Sequence, residues 1–486
     1  MKNMINYKNC LAVIVLLSLC PLGVQAQEAS NQQTGQSQAA QASSQPDESV
    51  TSPEFREPAP AMEENAPVPP PASIAGPSLG FTSDLERANY LRGGISLGTT
   101  YDDNVFNTAS NRVGGFTYSA LPHLALDIST NRLRWTSLYS AGLTVNQRLS
   151  SQNQGSHNLG MDFEYRLSPH VTLSVTDRFS LTTDFFDQVQ TSPDLSGGGI
   201  LQQPNATVVT PLAKSTGNNV NGQVSWQFGA GSMLGMTGGY YNTSYDDVTP
   251  GTTSLLDTTT ESASGFYSHR ITARNWIGVR YGFQHMSFQP ENEQTTSQSV
   301  MLFHTIYLKP TMQLSFFAGP EYSAVDSQIV IPQVQLPFVL FVSIPISQKR
   351  WSGAGGASYS WQGEHTSITA GVVRQVSDGG GVQGAVTLTS VSGALRRQIA
   401  RSTTLSFSGG YATNDALFTS TSGIGSLKTA TGSIGIGRRL GAHFGLDLSY
   451  ARIYQEPAAG ATVSVPAYHN RGLVTFSYDF SRPLGR

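Results

Sequence analysis

Gly472-Leu473-Val474-Thr475-Phe476-Ser477-Tyr478-Asp479-Phe480 reads as one strand from end to end. Val474, Phe476, Tyr478 and Phe480 fall on one side; Leu473, Thr475, Ser477 and Asp479 fall on the other, the period of two that an extended chain imposes. An aromatic face opposed to one that is polar apart from Leu473 suits a strand with hydrocarbon on one side and water on the other. The pattern recurs upstream. Ile277, Val279, Tyr281 and Phe283 oppose Gly278, Arg280, Gly282 and Gln284, and Phe444, Leu446, Leu448 and Tyr450 oppose Gly445, Asp447, Ser449 and Ala451. Met312, Leu314, Phe316 and Ala318 oppose Thr311, Gln313, Ser315 and Phe317 less cleanly.

The amino terminus reads differently. Lys2 and Lys8, the apolar run Leu11 to Leu19 and the small-residue site Val24-Gln25-Ala26 are the three parts of a secretory signal peptide covering residues 1–26. A lipoprotein reading around Cys20 is disfavoured because Leu19 stands where a small residue is expected. Cys10 and Cys20 are the two cysteines of the chain and both lie inside the signal, so the mature protein is expected to have neither a disulfide framework nor thiolate chemistry. The most apolar later run, Ile329 to Ile346, is broken by Pro332, Pro337 and Pro345 and by Gln333 and Gln335, which argues against a transmembrane helix. Charged residues make up 13% and hydrophobic ones 38%, too little of both for an ordinary soluble globule. A barrel facing lipid outside and water inside suits that balance. The net charge of −3 leaves no footprint for nucleic acid.

Residues 27–79 are Q/S/A-rich and then acidic and Pro-rich, with too little apolar periodicity to offset chain entropy; they read as a disordered periplasmic tail, with polyproline-II contact to a periplasmic partner or the cell wall as the sharper reading. Residues 80–486 read as an all-β, transmembrane, up-and-down antiparallel barrel of about eighteen strands, or sixteen or twenty if one hairpin is misread. Tight turns alternate with long polar loops. Base flanks the tight turns (Arg132 and Arg134, Arg166, Arg270 and Arg274, Lys309, Arg396-Arg397, Arg438-Arg439), while the opposite strand ends pair an aromatic with acid or amide, as in Tyr101-Asp102-Asp103-Asn104 and Tyr245-Asp246-Asp247. Short turns of bacterial barrels are periplasmic and long loops extracellular, so an even strand number puts both ends of the wall in the periplasm.

Asp102, Asp103, Asp246 and Asp247 are candidate rim acids. Adjacent carboxylates there are able to hold a divalent cation that bridges lipid phosphates, but turn capping beside a girdle tyrosine is the favoured reading, strengthened by Asn104. Arg280, Asp447 and Glu364 are candidate lumen charges that would bias ion selectivity. The run Ile329 to Ile346 is expected to fold into the lumen as a constriction, ahead of pairing as an extra hairpin or packing on a neighbour. Thr182 to Thr216 is long enough for a partial lid. No nucleophile elbow, metal-spaced histidine pair or phosphate-cradling loop is present, and His304 and His443 stand alone, so neither an enzyme nor a cofactor is expected.

The run Gly94 to Phe106, G-I-S-L-G-T-T-Y-D-D-N-V-F, resembles the first strand and loop of the outer-membrane β-barrel porins found with exopolysaccharide operons. The resemblance covers roughly Arg92 to Arg486, with its specific part at Tyr101 to Phe106. It implies a bacterial outer-membrane barrel with a role in polysaccharide export, and it brings no catalytic residues. The chain departs from barrel habit in one place: Ser481 to Arg486 follow Phe480, whereas such barrels commonly end on an aromatic that the barrel assembly machinery reads. Two functions are carried forward. One is a channel for hydrophilic solutes or polysaccharide, surrounded by outer-membrane lipid and lipopolysaccharide and working with periplasmic export components. The other is a structural, anchoring barrel with a plugged lumen and a partner-binding tail.

Overall fold

The computed structural model of the protein describes residues 89–105, 112–148, 153–182, 205, 207–210, 213–246, 255–335, 338–417, 425–457 and 467–484. The signal peptide and tail expected over residues 1–79 lie outside the described residues. So do Phe106, Asp247 and much of the loop expected as a lid.

Every regular element described is a strand: β1 (Tyr90–Asp102), β2 (Gly115–Ser129), β3 (Leu133–Asn146), β4 (Gln154–Ser168), β5 (Val171–Thr182), β6 (Lys214–Gly229), β7 (Ser232–Asp246), β8 (Asp257–Thr272), β9 (Asn275–Gln289), β10 (Glu293–Lys309), β11 (Met312–Gln335), β12 (Phe338–Gln362), β13 (Thr366–Gly379), β14 (Gln383–Ala400), β15 (Thr403–Ala416), β16 (Ser426–Arg439), β17 (Phe444–Pro457) and β18 (Ala467–Pro483). Each pairs antiparallel with its neighbours in sequence, and β1 pairs with β2 on one side and β18 on the other, which closes an 18-stranded barrel. Closure leaves the ring without a free edge, which a membrane demands because lipid satisfies no backbone amide. A strand of 14 residues, such as β3, spans roughly 35 Å along the axis once tilted by about 40°.

The sequence alternation becomes two surfaces. Val474, Phe476, Tyr478 and Phe480 on β18, Ile277, Val279, Tyr281 and Phe283 on β9, and Phe444, Leu448 and Tyr450 on β17 are all exposed on the outside, within a belt that includes Met236, Leu302 and Trp351 at 64–70% exposure. So broad an apolar surface belongs against hydrocarbon. Aromatic contacts gird both ends of the belt. Tyr101–Phe116 and Tyr322–Trp351 each lie 5.1 Å apart at the long-loop end, and Trp226–Phe228 (5.4 Å) and Phe444–Phe476 (5.6 Å) lie at the other. The tight turns, such as 169–170, 230–231 and 310–311, share one end of the barrel with the start of β1 and the finish of β18.

Two findings depart from the sequence reading. First, the run Ile329 to Ile346 does not fold inward. The β10–β11 pairing stops at Asp326 and the β12–β13 pairing begins only at Gly355, yet β11 and β12 stay paired from Met312↔Trp361 to Gln335↔Phe338. The run is therefore a two-stranded ribbon continuing past the wall, with Val342 and Ile344 exposed. Unbroken cross-strand pairing satisfies its backbone without a return to the lumen. Second, the inner wall is not uniformly polar. Met233, Phe266, Trp276, Met301, Phe303, Phe317 and Ala354 form one buried cluster over the part of the inner wall made by β7 to β12. Three of its rings face glycines directly across strand pairs: Phe266 on Gly235, Phe303 on Gly278 and Phe317 on Gly356. A Cβ at any of the three glycines would meet the opposing ring. The missing side chains let the rings lie against the wall.

Candidate functional site

Past Arg374, β13 has no further pair with β12 but keeps pairing with β14 through Gln375↔Leu388, Val376↔Thr387 and Ser377↔Val386. The hairpin leaves the wall and leans across the interior. Its tip, Asp378-Gly379-Gly380-Gly381, needs glycine: Gly380 and Gly381 have φ of 63° and 80°, in the left-handed region. A Cβ on Gly381 would also run into the Tyr245 ring. Asp378 Oδ1 accepts the Gly380 N–H at 2.8 Å and fixes the turn from inside.

Carboxylates on the nearby strands β10 and β11 hold this hairpin. Glu321 on β11 accepts the Val376 N–H through Oε2 at 3.1 Å, and its Oε1 accepts the Ser297 hydroxyl at 3.0 Å. Glu293 at the start of β10 accepts the Ala385 N–H at 3.1 Å. The two are 5% and 3% exposed, so they offer charged acceptors to amides that have lost their wall partners. The Leu256 N–H adds a bond to the Gly381 carbonyl at 2.8 Å, and the Leu417 N–H one to the Ala385 carbonyl at 2.9 Å. Beside Glu293, in the β9–β10 turn, burial pushes the Glu291 carboxyl above the usual carboxylate range.

A second segment, residues 205 and 207–210 between β5 and β6, lies against the hairpin. Asn205 Nδ2 donates to the Asp378 carbonyl at 2.8 Å and to Asn414 Oδ1 on β15 at 2.7 Å. The Val209 N–H donates to Gln455 Oε1 on β17 at 2.7 Å, and Gln455 Nε2 returns a bond to the Val209 carbonyl at 2.9 Å. Apolar contacts fill the remaining space. Val208, Ala213, Leu255, Val382 and Leu427 form one cluster and Leu256, Met286, Phe288, Val376 and Ala385 another. These contacts join strands far apart in the ring, so the two segments meet across the interior at the long-loop end.

Beneath the hairpin lies a small recess, open on one side, with Gln375 and Val376 overhead and Thr237, Ser264, Arg280, Gln284, Ser299 and Glu321 among its walls. Hydroxyls and amides predominate, with one cationic and one anionic side chain.

The structure places the sequence-predicted residues in several environments. Arg280 lines the recess. Asp447 lies on β17 opposite Gly437, where a Cβ would touch its carboxylate. Glu364 is exposed in the turn between β12 and β13, away from the other two. At the rim, Asp102 Oδ1 accepts the Asn104 N–H at 2.8 Å and faces His469 Nδ1 at 3.0 Å. Asp103 accepts the backbone N–H of Asn470 at 2.8 Å and its side-chain amide at 2.6 Å. These carboxylates cap the turn and tie β1 to β18. Asp246 is 4.0 Å from Lys214, and no group of three or more His, Cys, Asp or Glu residues suited to a metal ion occurs among the described residues. Glu293, Asp378, Asn205 and Gln455 were not anticipated. Asp378-Gly379-Gly380-Gly381 is a plain turn signal in the sequence, but nothing local to it says that the turn points inward.

No protein-family model matches the chain, and no curated protein sequence does. Among solved structures the chain is similar to OpdQ of Pseudomonas aeruginosa (10% identity, TM-score 0.38, covering 82% of this chain and 98% of that one). It is also similar to the outer membrane protein OpdK of the same organism (11%, 0.39, 81% and 99%). A third is a BenF-like porin of Pseudomonas fluorescens Pf-5 (11%, 0.40, 81% and 99%).

Proposed function

We propose that this protein is a porin-like channel of the bacterial outer membrane for hydrophilic solutes, narrowed at its long-loop mouth by the β13–β14 hairpin and residues 205 and 207–210. One observation carries the reading: an apolar outer belt encloses an inner wall that presents hydroxyl, amide and charged groups around a recess. Rings of this size are wide enough to conduct water-soluble cargo. On this reading the tight turns, both ends of the wall and the N-terminal tail lie in the periplasm. Outer-membrane lipid and lipopolysaccharide surround the belt, the assembly machinery acts on β18, and periplasmic export components are partners on the inner side. Polysaccharide export is the larger role that the Gly94 to Phe106 resemblance suggests, and a polymer would pass only with the hairpin swung aside.

The second reading, an anchoring barrel with a plugged lumen, is favoured by the two apolar clusters that pack across the interior. Planar-bilayer recording separates the two. The full-length protein is expected to give small stepwise currents that grow when residues 377–385 are replaced by a short glycine–serine turn. Silence from both proteins would overturn the channel and leave the plugged barrel.

A further inference from the structure

The recess combines features that channel walls do not need. We propose that it binds the edge of a neutral polyhydroxylated solute such as a sugar, a reading that rests on the channel proposal only for the solute's access.

The first observation is an uncommitted donor. Gln284 is 6% exposed and lines the recess, and its side-chain nitrogen has no hydrogen-bond partner among the described residues. A buried amide N–H without a partner costs stability, and a ligand oxygen placed there relieves that cost. The second is the polar wall. Thr237 on β7, Ser264 on β8 and Ser297 and Ser299 on β10 bring hydroxyls to the recess, and each hydroxyl both donates and accepts, as sugar hydroxyls do. The third is charge. Arg280 and Glu321 enter the recess with opposite sign, so it has no net charge to draw in an anion or a cation.

The fourth is an apolar face set one pleat away. Met301 belongs to both the recess and the buried inner-wall cluster. Phe303, two residues further along β10, and Phe266, two residues beyond Ser264 on β8, continue that surface toward the tight turns, as side chains two apart on a strand must. A pyranose presents hydroxyls around its edge and C–H groups on its face. The hydroxyl-rich wall matches the edge of such a ring, Met301 meets its C–H face with Phe303 and Phe266 packed behind, and the recess opens on one side to admit it. Glu321 also links the site to the roof, because the same carboxylate holds the Val376 amide.

The test uses the full-length protein refolded in detergent, with glucose and sucrose as probes in isothermal titration. Sodium benzoate and glycine are the anionic and zwitterionic controls, and single-channel recording is run in parallel. The expected result is saturable binding of at least one sugar, weakened about tenfold or more by Gln284→Leu and restored in part by Gln284→Asn. Ser408→Ala, on β15 outside the recess, is expected to bind as the unaltered protein does. Heat-modifiable gel mobility verifies that each barrel has folded, and if Gln284→Leu does not fold, Ser299→Val replaces it with the same expected loss. Absence of sugar binding, binding unchanged by the recess variants, or a preference for benzoate or glycine would each overturn the assignment. A protein that conducts but ignores sugars removes the site and leaves the channel. One that binds sugars without conducting keeps the site and removes the channel.

Discussion

At the scale of single residues, what the inner wall lacks matters as much as what it carries. Gly278 is a blank that allows the Phe303 ring to lie against β9, and Gly235 and Gly356 serve Phe266 and Phe317 in the same way. Gly278→Val is expected to push Phe303 off the wall and destabilise the barrel by about 1–3 kcal/mol, the usual cost of overpacking. The temperature at which the folded gel band is lost measures this, and Gly222→Val, at a position with open space, is the matched control. Asp102 makes a second residue-scale case. Its carboxylate serves both Asn104 and His469, so Asp102→Ala strips a buried rim of its acceptor and is expected to cost about 1–3 kcal/mol in the same assay. Because protein groups already occupy these acids, EDTA is expected to leave the melting temperature where it was. A drop of several degrees on chelation would restore the cation reading of the rim.

At the scale of elements, the sequence reveals strands far better than it reveals where their extensions go. Period-two patterning in β9, β17 and β18 marks the lipid-facing side because each outward residue meets the same solvent. The alternation blurs in β11, where Phe317 faces inward against Gly356; the cause is a contact with another strand, invisible in a single segment. Hairpin direction is harder still. The apolar run in β11 and β12 and the Gly-rich tip of β13–β14 both permit a turn, and the decision rests with distant partners. Glu293 and Glu321 draw the second hairpin inward, whereas the first runs on as a continuous pairing of β11 with β12. Two predictions belong here. Excising residues 328–345 with a two-residue turn in their place is expected to leave single-channel conductance unchanged, because the ribbon lies beyond the wall. The pair Glu293→Ala with Glu321→Ala is expected to raise the fraction of time spent in the larger conductance state, read from dwell-time histograms. Equal dwell times in both proteins would show that the carboxylates do not hold the hairpin.

At the scale of the whole molecule, strand number and closure follow from counting alternating segments, while the state of the lumen does not follow from any count. The seam between the first and last strands is paired as fully as the junction of β1 with β2 on its other side. β1 and β18 pair along the full 13 residues of β1, and the Leu484 N–H reaches the Asn89 carbonyl at 2.7 Å just beyond. The polypeptide thus meets itself, and as far as the wall is concerned its starting point is arbitrary. A circular permutant follows: residue 484 linked to residue 89 by a few glycines, new ends opened at the Pro310–Thr311 turn, and an export leader fused to the new beginning. It is expected to assemble into the same barrel with the same melting temperature, with β10 inheriting the part of last strand to be zipped.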